Sequence, residues 1–307
     1  MTTIPHPLID LEVNGYQAVD FSSPDLTYDR ALQACRALVK KGVSAWCPTL
    51  ITSQEPTYQH NLPILARVAE LPEFADVILG FHLEGPFLSS APGAVGAHNP
   101  EWTRLPDIDL LERLQTWAQG HVKILTLAAD LPAADSLTTH ACRMGISVFL
   151  AHQLANLEDH RRLAAAGATA ITHLGNSMPD VMHRHDNLFL HGLAVDELAA
   201  TIITDGHHLS PDLIRIILRC KGADNVAVIS DAAPLAGMPP GEYATPSNRV
   251  ILEPSGRLFN PEKNVKVGST ATIVECYHYM KSLNLLNPAD LEKLFHQNPL
   301  RLLNLKP

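Results

Sequence analysis

The amino-acid sequence predicts an α/β fold, a TIM-type (β/α)8 barrel formed by a single domain over 1–307. Short apolar or β-branched runs alternate with longer helical patterns along the whole chain. The length of 307 residues, with 46% hydrophobic and 18% charged residues, provides for a large buried core. Five predicted strands are also followed within five residues by an ionisable side chain, as expected at the functional face of a barrel. An open doubly wound sheet is the alternative, because alternation alone does not determine closure.

Each element follows from local pattern. The predicted strands are short and apolar, and they cover 8–13, 43–49, 77–83, 122–127, 146–150, 170–172, 199–203 and 226–229. The helical patterns cover 27–41, 58–71, 110–119, 133–144, 157–166, 211–220, 270–283 and 288–303. Gly42 follows the first helix as a C-terminal stop, and Pro211 opens a later helix where its missing N–H costs nothing. A loop rich in glycine and proline follows the third strand and runs to residue 106.

Charge and composition exclude several classes of protein. Lysine and arginine total 23 against 32 acidic residues, a formal net charge of −9 without a basic run, which disfavours nucleic acid and anionic membranes as partners. The sequence has no apolar stretch of membrane-spanning length and no signal-like start, so we expect a cytoplasmic location. Five scattered cysteines without a Cys-x-x-Cys pair predict buried thiols and no disulfide framework.

The 16 histidines point to metal or proton chemistry. The side chains that follow predicted strands should converge on the barrel mouth, and they are Glu84, His152, His173, His208 and Asp231. Two neutral imidazoles and one carboxylate form a common metal-binding set, for which zinc or ferrous iron is suited. Water bound to such an ion loses its proton near neutral pH, and Asp231 is the candidate to accept that proton.

Other polar residues near the strand ends have simpler interpretations. His82 shares a strand face with Glu84 one layer deeper, so we expect a packed, hydrogen-bonded imidazole. Only one of His207 and His208 should face the site, and Asp205 could cap their turn. The polar run at 183–186 could be a solvated surface loop.

Several motifs resemble one family. The strongest are His-Leu-Glu-Gly-Pro-Phe at 82–87, Gly-Ala-His-Asn-Pro at 96–100 and Thr-His-Leu-Gly-Asn-Ser-Met-Pro at 172–179. Weaker matches follow the same order along the chain, at 48–52, 205–208, 230–232, 235–237, 267–270 and 298–301. Together they resemble the N-acetylglucosamine-6-phosphate deacetylase family of the amidohydrolase superfamily, from about residue 7 to residue 305.

This resemblance implies a metal-dependent amidohydrolase that removes an acetyl group from a phosphorylated amino sugar, a small-molecule substrate. It assigns one divalent ion, zinc before iron, to Glu84, His152 and His173. It makes Asp231 the acid/base and His98 the residue that orients the substrate and polarises its carbonyl. The residues implied to contact the sugar phosphate are His208, Asn176, the backbone at Ser177, and Arg184 reaching across a homodimer interface.

Departures from the family pattern affect the substrate region more than the metal set. Glu12-Val13-Asn14 stands where two-metal relatives have a pair of histidines, which favours one metal, although Glu12 is competent as a ligand. Gln153, Gly175 and Ser177 replace usual residues, as do the neighbours of Arg184. The accessory β-sandwich of the family is expected to be missing, because the first strand begins near residue 8.

Two alternative functions remain open on the sequence. One is a related amidohydrolase that acts on another N-acyl or cyclic amide compound. The other is a barrel that has lost catalysis and binds a ligand. The joint presence of Glu84, His152, His173 and Asp231 argues against the second.

Overall fold

The structure is a computed structural model that describes residues 4–244, 249–263 and 265–306. Its centre is a sheet of eight parallel strands, paired in chain order. Their bounds are Ile9–Val13, Ala45–Ile51, Phe81–Glu84, Val122–Leu127, Ser147–Leu150, Ala168–Ile171, Ala199–Ile203 and Val226–Ile229. A parallel bridge between Val13 and Ala232 connects the chain just beyond the last strand to the first strand. In it the backbone N–H of Asn14 donates to the Ala232 carbonyl at 2.8 Å. The predicted barrel is thereby confirmed, and the open sheet is excluded.

Helices cover the outside of the barrel. The predicted ones are confirmed at Tyr28–Lys41, Glu55–Ala69, Ile108–Trp117, Ala134–Arg143, Leu157–Ala166, Pro211–Lys221 and Ile273–Ser282. The last predicted helix is present as Pro288–Glu292 and Asn298–Leu302, separated by one π-helical stretch, Lys293–Gln297. A helix at Leu188–Ala194 was not predicted, and short 3-10 turns lie at Pro72–Phe74, Pro100–Trp102 and Ala223–Asn225. Throughout the described ranges, every helix falls short of what a membrane crossing demands in length and apolarity.

The sequence did not predict two small antiparallel sheets. A hairpin of Gly15–Tyr16 and Val19–Asp20 follows the first barrel strand. After the eighth strand comes a sheet that we call the mouth sheet, formed by Gly241–Ala244, Arg249–Leu252, Leu258–Asn260 and Val265–Lys266. Its strands are only two to four residues long, too short for an alternating pattern to stand out. Its apolar residues Val250, Leu252 and Leu258 pack with Ala233 and Leu235, just beyond the eighth strand.

The barrel interior is divided along its axis. Apolar residues fill the lower part, where Leu302 and Leu303 from the last helix join a cluster that includes Ile9, Ala45 and Phe149. The Ser147 hydroxyl donates to the Leu302 carbonyl at 2.6 Å and ties that helix to the strand ends. Toward the carboxyl ends of the strands, the side chains inside the barrel are polar. The fold therefore closes one end of the barrel with apolar packing and leaves the other for chemistry.

Candidate active site

Four strand ends bring ionisable side chains to one cavity of about 530 Å³ at the carboxyl face of the barrel. These side chains are Glu84, His152, His173 and Asp231. The last three each lie two residues beyond the end of their strand and have left-handed backbones, with φ of 50°, 37° and 49°. Such a conformation is uncommon for residues with a side chain, and it turns the chain sharply at the end of each strand. The predicted convergence of these residues is therefore present in the structure.

The carboxylate of Glu84 is the centre of the cluster. Its Oε1 lies 3.0 Å from His152 Nε2 and 3.1 Å from His173 Nε2, and all three residues are buried. His152 Nδ1 lies 2.9 Å from the Ala94 carbonyl, which can only accept, so this nitrogen carries a proton. Burial opposes the charge on Glu84, but the surrounding imidazoles of His98, His152 and His173 outweigh it and hold its pKa well below the usual range.

His98 lies closer to this cluster than its position in a loop suggests. Its Nε2 is 3.2 Å from His152 Nε2 and 3.7 Å from Glu84 Oε2. The ligand atoms of Glu84, His98 and His152 all lie within 4.8 Å of one another, a spacing that one metal ion can bridge. Gly96 permits this approach, because a Cβ there would sit 3.2 Å from His152 Cε1. The loop after the third strand thus brings a third imidazole, His98, beside the predicted set.

Glu12 offers a further carboxylate on the opposite side. It forms a second compact group with Glu84 and His173, again with ligand atoms within 4.8 Å. Its Oε1 is buried and has no hydrogen-bond partner among the described residues. Burial, and then the charges of Glu84 and Asp231, raise the pKa of Glu12 well above its ordinary value. A buried carboxylate oxygen without a hydrogen-bond donor is what a cation would satisfy, so the donor atoms grouped around Glu84 fit a divalent ion.

Asp231 is held beside the cluster by a single strong hydrogen bond. The side-chain amide of Asn14 donates to Asp231 Oδ1 at 2.7 Å. Burial, followed by the charge of Glu84, raises the pKa of Asp231 well above its usual value, and the Asn14 bond only partly offsets this. Both residues line the cavity. An oriented carboxyl group with a raised affinity for protons is suited to accept and return a proton.

The layer beneath is a closed hydrogen-bond network. His82 is fully buried, with Nδ1 3.0 Å from the Leu11 carbonyl and Nε2 2.7 Å from Thr126 Oγ1, as the sequence predicted for a packed imidazole. Asp10 accepts hydrogen bonds from the amide and the hydroxyl of Ser230, at 3.0 and 2.5 Å. Burial raises the pKa of Asp10 to about 6. These contacts hold His82, two residues before Glu84, and Ser230, directly before Asp231, in fixed positions.

Three of the predicted substrate-binding residues line the cavity, and they are His208, Asn176 and Ser177. The Nδ1–H of His208 donates to Asp205 Oδ2 at 2.7 Å, while Asp205 Oδ1 accepts the backbone amides of His207 and His208. Burial opposes the charge on Asp205, but His208 outweighs it and holds the Asp205 pKa below its usual range. Asp205 therefore caps the turn and also orients His208.

Arg184 and Gln153 lie elsewhere. Arg184 is exposed and is absent from the residues that line the cavity of its own chain. Gln153 is buried away from the cavity, where Oε1 accepts the Ala129 amide at 2.9 Å and Nε2 lies 3.0 Å from His160 Nε2. The departure from the family pattern at Gln153 is thus an internal packing contact. Gly175 does line the cavity, and its φ of +97° favours glycine, since a Cβ there would lie 2.7 Å from Leu209 Cδ2.

Sequence reasoning missed two cations at this cavity. Lys266, at the end of the last strand of the mouth sheet, and Arg257, in the turn before its third strand, are among the lining residues. Neither belongs to a motif, and both follow the eighth strand by more than 25 residues, so only the folded position of the mouth sheet reveals them.

Comparisons with known proteins agree with this geometry. An N-acetylgalactosamine-6-phosphate deacetylase from Escherichia coli O157:H7 is 28% identical over 96% of this chain and 76% of the relative. The N-acetylglucosamine-6-phosphate deacetylase of Homo sapiens is 31% identical over 92% of this chain and 70% of the relative. A mutant N-acetyl-D-glucosamine-6-phosphate deacetylase from Mycobacterium smegmatis, solved with N-acetyl-D-glucosamine-6-phosphate, superposes with a TM-score of 0.88 at 25% identity, over 97% of this chain and 77% of that one. No protein-family model matches the chain.

The barrel and its cluster of imidazoles and carboxylates define this chain as a metal-dependent amidohydrolase. Its similarity to the human enzyme extends over most of both sequences. The chain belongs to the N-acetylglucosamine-6-phosphate deacetylase family.

Proposed function

We propose that this protein deacetylates an N-acetylated amino sugar phosphate, with N-acetylglucosamine 6-phosphate as the first candidate. The observation that carries the proposal is the convergence of Glu84, His152, His173 and Asp231 on one cavity. Relatives named as deacetylases of the glucosamine and galactosamine compounds support the same substrate class. Because those two sugars differ at a single carbon, the galactosamine epimer is the second candidate.

We assign the metal to Glu84, His152 and His173. One carboxylate and two imidazoles suit zinc first and ferrous iron second, and the single metal follows from Glu12-Val13-Asn14 in place of a histidine pair. A divalent ion at these residues would supply Lewis acidity and lower the pKa of water toward neutrality. The low pKa of Glu84 keeps its carboxylate charged, as a ligand must be.

The remaining residues carry the proton chemistry. Asp231 accepts a proton from the attacking water and delivers it to the departing nitrogen, so that acetate and a free amine are released. Asn14 holds the Asp231 carboxyl in place through its 2.7 Å hydrogen bond. His98, which lies beside Glu84 and His152, orients the substrate and donates to the amide carbonyl oxygen as negative charge develops there.

The sugar and phosphate are assigned to the other side of the cavity. His208 is oriented by Asp205 with its Nε2 available, and Asn176 and Ser177 line the same wall. Asn176 and Ser177 can donate hydrogen bonds to phosphate or hydroxyl oxygens, and His208 can do so when both of its ring nitrogens carry protons.

The direct test is amine release from N-acetylglucosamine 6-phosphate by zinc-reconstituted protein, beside its galactosamine epimer and the unphosphorylated sugars. We expect turnover of at least one phosphorylated sugar with a kcat/KM of at least about 10⁴ M⁻¹s⁻¹, and at least about 100-fold less for its unphosphorylated form. Turnover confined to N-acyl compounds without phosphate would contradict the proposed substrate, while leaving the hydrolase assignment intact.

We further propose a homodimer in which Arg184 reaches the neighbouring cavity. The loop that carries Arg184 is exposed, and Val181 within it is 89% exposed, a large apolar side chain that a partner would cover. Arg184→Ala should raise KM about 10-fold or more for the phosphorylated sugar alone.

A mixing experiment separates contact across the interface from contact within one chain. Co-refolded Arg184→Ala and Asp231→Asn chains should recover low-KM activity, because one cavity of the mixed dimer then has both an intact Asp231 and the neighbour's Arg184. If activity stays at the level of the separate variants while mixed dimers form, Arg184 does not act across the interface. A monomer at micromolar concentration in light scattering would exclude the arrangement.

A further inference from the structure

The charges that line the cavity are unfavourable for an anionic substrate. Its walls include the carboxylates Asp20, Glu84, Asp180 and Asp231. The whole chain also carries a formal charge of −9. A phosphate monoester with close to two negative charges needs fixed positive charge within reach. Among the described lining residues, the only side chains with a permanent positive charge are Arg257 and Lys266.

The residues that follow Lys266 in the chain form backbone hydrogen bonds at the barrel mouth. Three residues beyond Lys266, the Ser269 amide donates to the Asp231 carbonyl at 2.8 Å, and the Ser269 carbonyl accepts the Ala233 amide at 2.7 Å. Gly268, which lies between Lys266 and Ser269 in the chain, has a φ of +65°, and a Cβ there would lie 3.0 Å from the Asp231 carbonyl oxygen. The segment that directly follows Lys266 therefore packs against the backbone of the proposed acid/base, and these contacts limit where Lys266 can lie relative to the cavity.

Arg257 approaches the same cavity from the neighbouring turn. The Ser255 carbonyl lies 3.0 Å from His207 Nε2, so this turn contacts the loop that carries His208. The guanidinium of Arg257 stacks 4.4 Å above the Phe259 ring. Phe259 pairs directly with Lys266 in the antiparallel ladder, which places Arg257, Phe259 and Lys266 on one face of the mouth sheet.

The two cations differ in how far they are neutralised. Arg257 has Glu253 3.5 Å away, so part of its charge is already balanced. Lys266 forms no ion pair with any described carboxylate and is only partly exposed. A lysine without an ion-pair partner among the described residues, at the wall of an acidic cavity, is available to an incoming anion.

We propose that Lys266, assisted by Arg257, binds the phosphate of the substrate from within the same chain that supplies Asp231. The inference rests on the proposed function, since it takes a phosphorylated sugar as the ligand. It makes the mouth sheet a determinant of specificity, because each subunit then supplies its own cations whether or not Arg184 arrives from a neighbour.

The test uses the zinc-loaded protein and a charge series at one position. Lys266→Met should raise KM for the phosphorylated sugar about 10- to 100-fold, with kcat nearly unchanged and residual turnover of the unphosphorylated sugar unaffected. Lys266→Arg should restore most of the loss, whereas a purely structural role would not follow charge. Lys263→Met, an exposed lysine of the same region that does not line the cavity, is the matched control. Arg257→Gln should give a smaller rise, because Glu253 already balances part of its charge.

A binding measurement separates this inference from the proposed function. Calorimetry on the Asp231→Asn protein, which should bind without turnover, compares the affinity for the phosphorylated and the unphosphorylated sugar with and without Lys266→Met. Loss of the preference for phosphate in that variant supports the inference. An equal preference in both proteins overturns it while leaving the deacetylase function intact. If the protein with Lys266 intact shows no preference for phosphate, both the inference and the proposed substrate fail, although hydrolysis of other N-acyl compounds remains measurable.

Discussion

Replacing Asp231 by asparagine is expected to lower kcat by about 10³-fold or more while leaving the metal content unchanged. The asparagine keeps the shape of the side chain but can neither accept the proton of water nor return it to the amine. Asp231 is half-buried, bonded to Asn14 and not among the three assigned ligands, so its replacement should remove proton transfer alone. The measurements are amine release at saturating substrate and metal per chain by atomic emission.

Asp212→Asn is the matched control, since Asp212 is an exposed aspartate on the helix Pro211–Lys221, away from the cavity. It should keep full activity. If Asp231→Asn loses its metal together with its activity, Asp231 is a ligand and the assignment as acid/base is wrong. Full activity in the variant would exclude both roles.

Replacing Glu84 by glutamine is expected to abolish stable metal binding. The carboxylate is the only charged member of the assigned set, and its Oε1 faces both imidazole nitrogens at 3.0 and 3.1 Å. The affinity for zinc should fall at least about 100-fold, and activity should fall with the metal content. Without zinc the protein should also lose ligand-linked stability, about 2.7 kcal/mol at a free metal concentration 100 times the Kd.

Thermal unfolding with and without added zinc checks this independently of turnover. The protein with Glu84 intact should unfold at a higher temperature with zinc than after chelation, whereas Glu84→Gln should unfold at one temperature in both. Glu101→Gln is the control, because Glu101 is exposed in the loop that follows the same strand. A zinc response retained in Glu84→Gln would place the ion at another group, and Glu12 with His173 would be the next ligands to test.

The pattern of strands and strand ends was readable from the sequence. All eight barrel strands lie within a few residues of their predicted bounds, because a fully buried strand leaves a short apolar run that helices and turns interrupt. The mouth sheet was not predicted, since its strands of two to four residues show no clear period. The helix Leu188–Ala194 is similarly too short, at seven residues, for a helical repeat to stand out.

The sequence by itself determined the alternation of strands and helices, the resemblance to the family and the side chains that emerge at the carboxyl ends of the strands, whereas closure of the sheet into a barrel was established by the structure. In a parallel barrel the strand direction sends Glu84, His152, His173 and Asp231 to one face whatever the loops do. Only the tertiary structure decided how close His98 comes to His152, and that Arg257 and Lys266 line the cavity. Those positions depend on how the loop after the third strand and the mouth sheet pack against the barrel. Neither strand direction nor local periodicity contains that information.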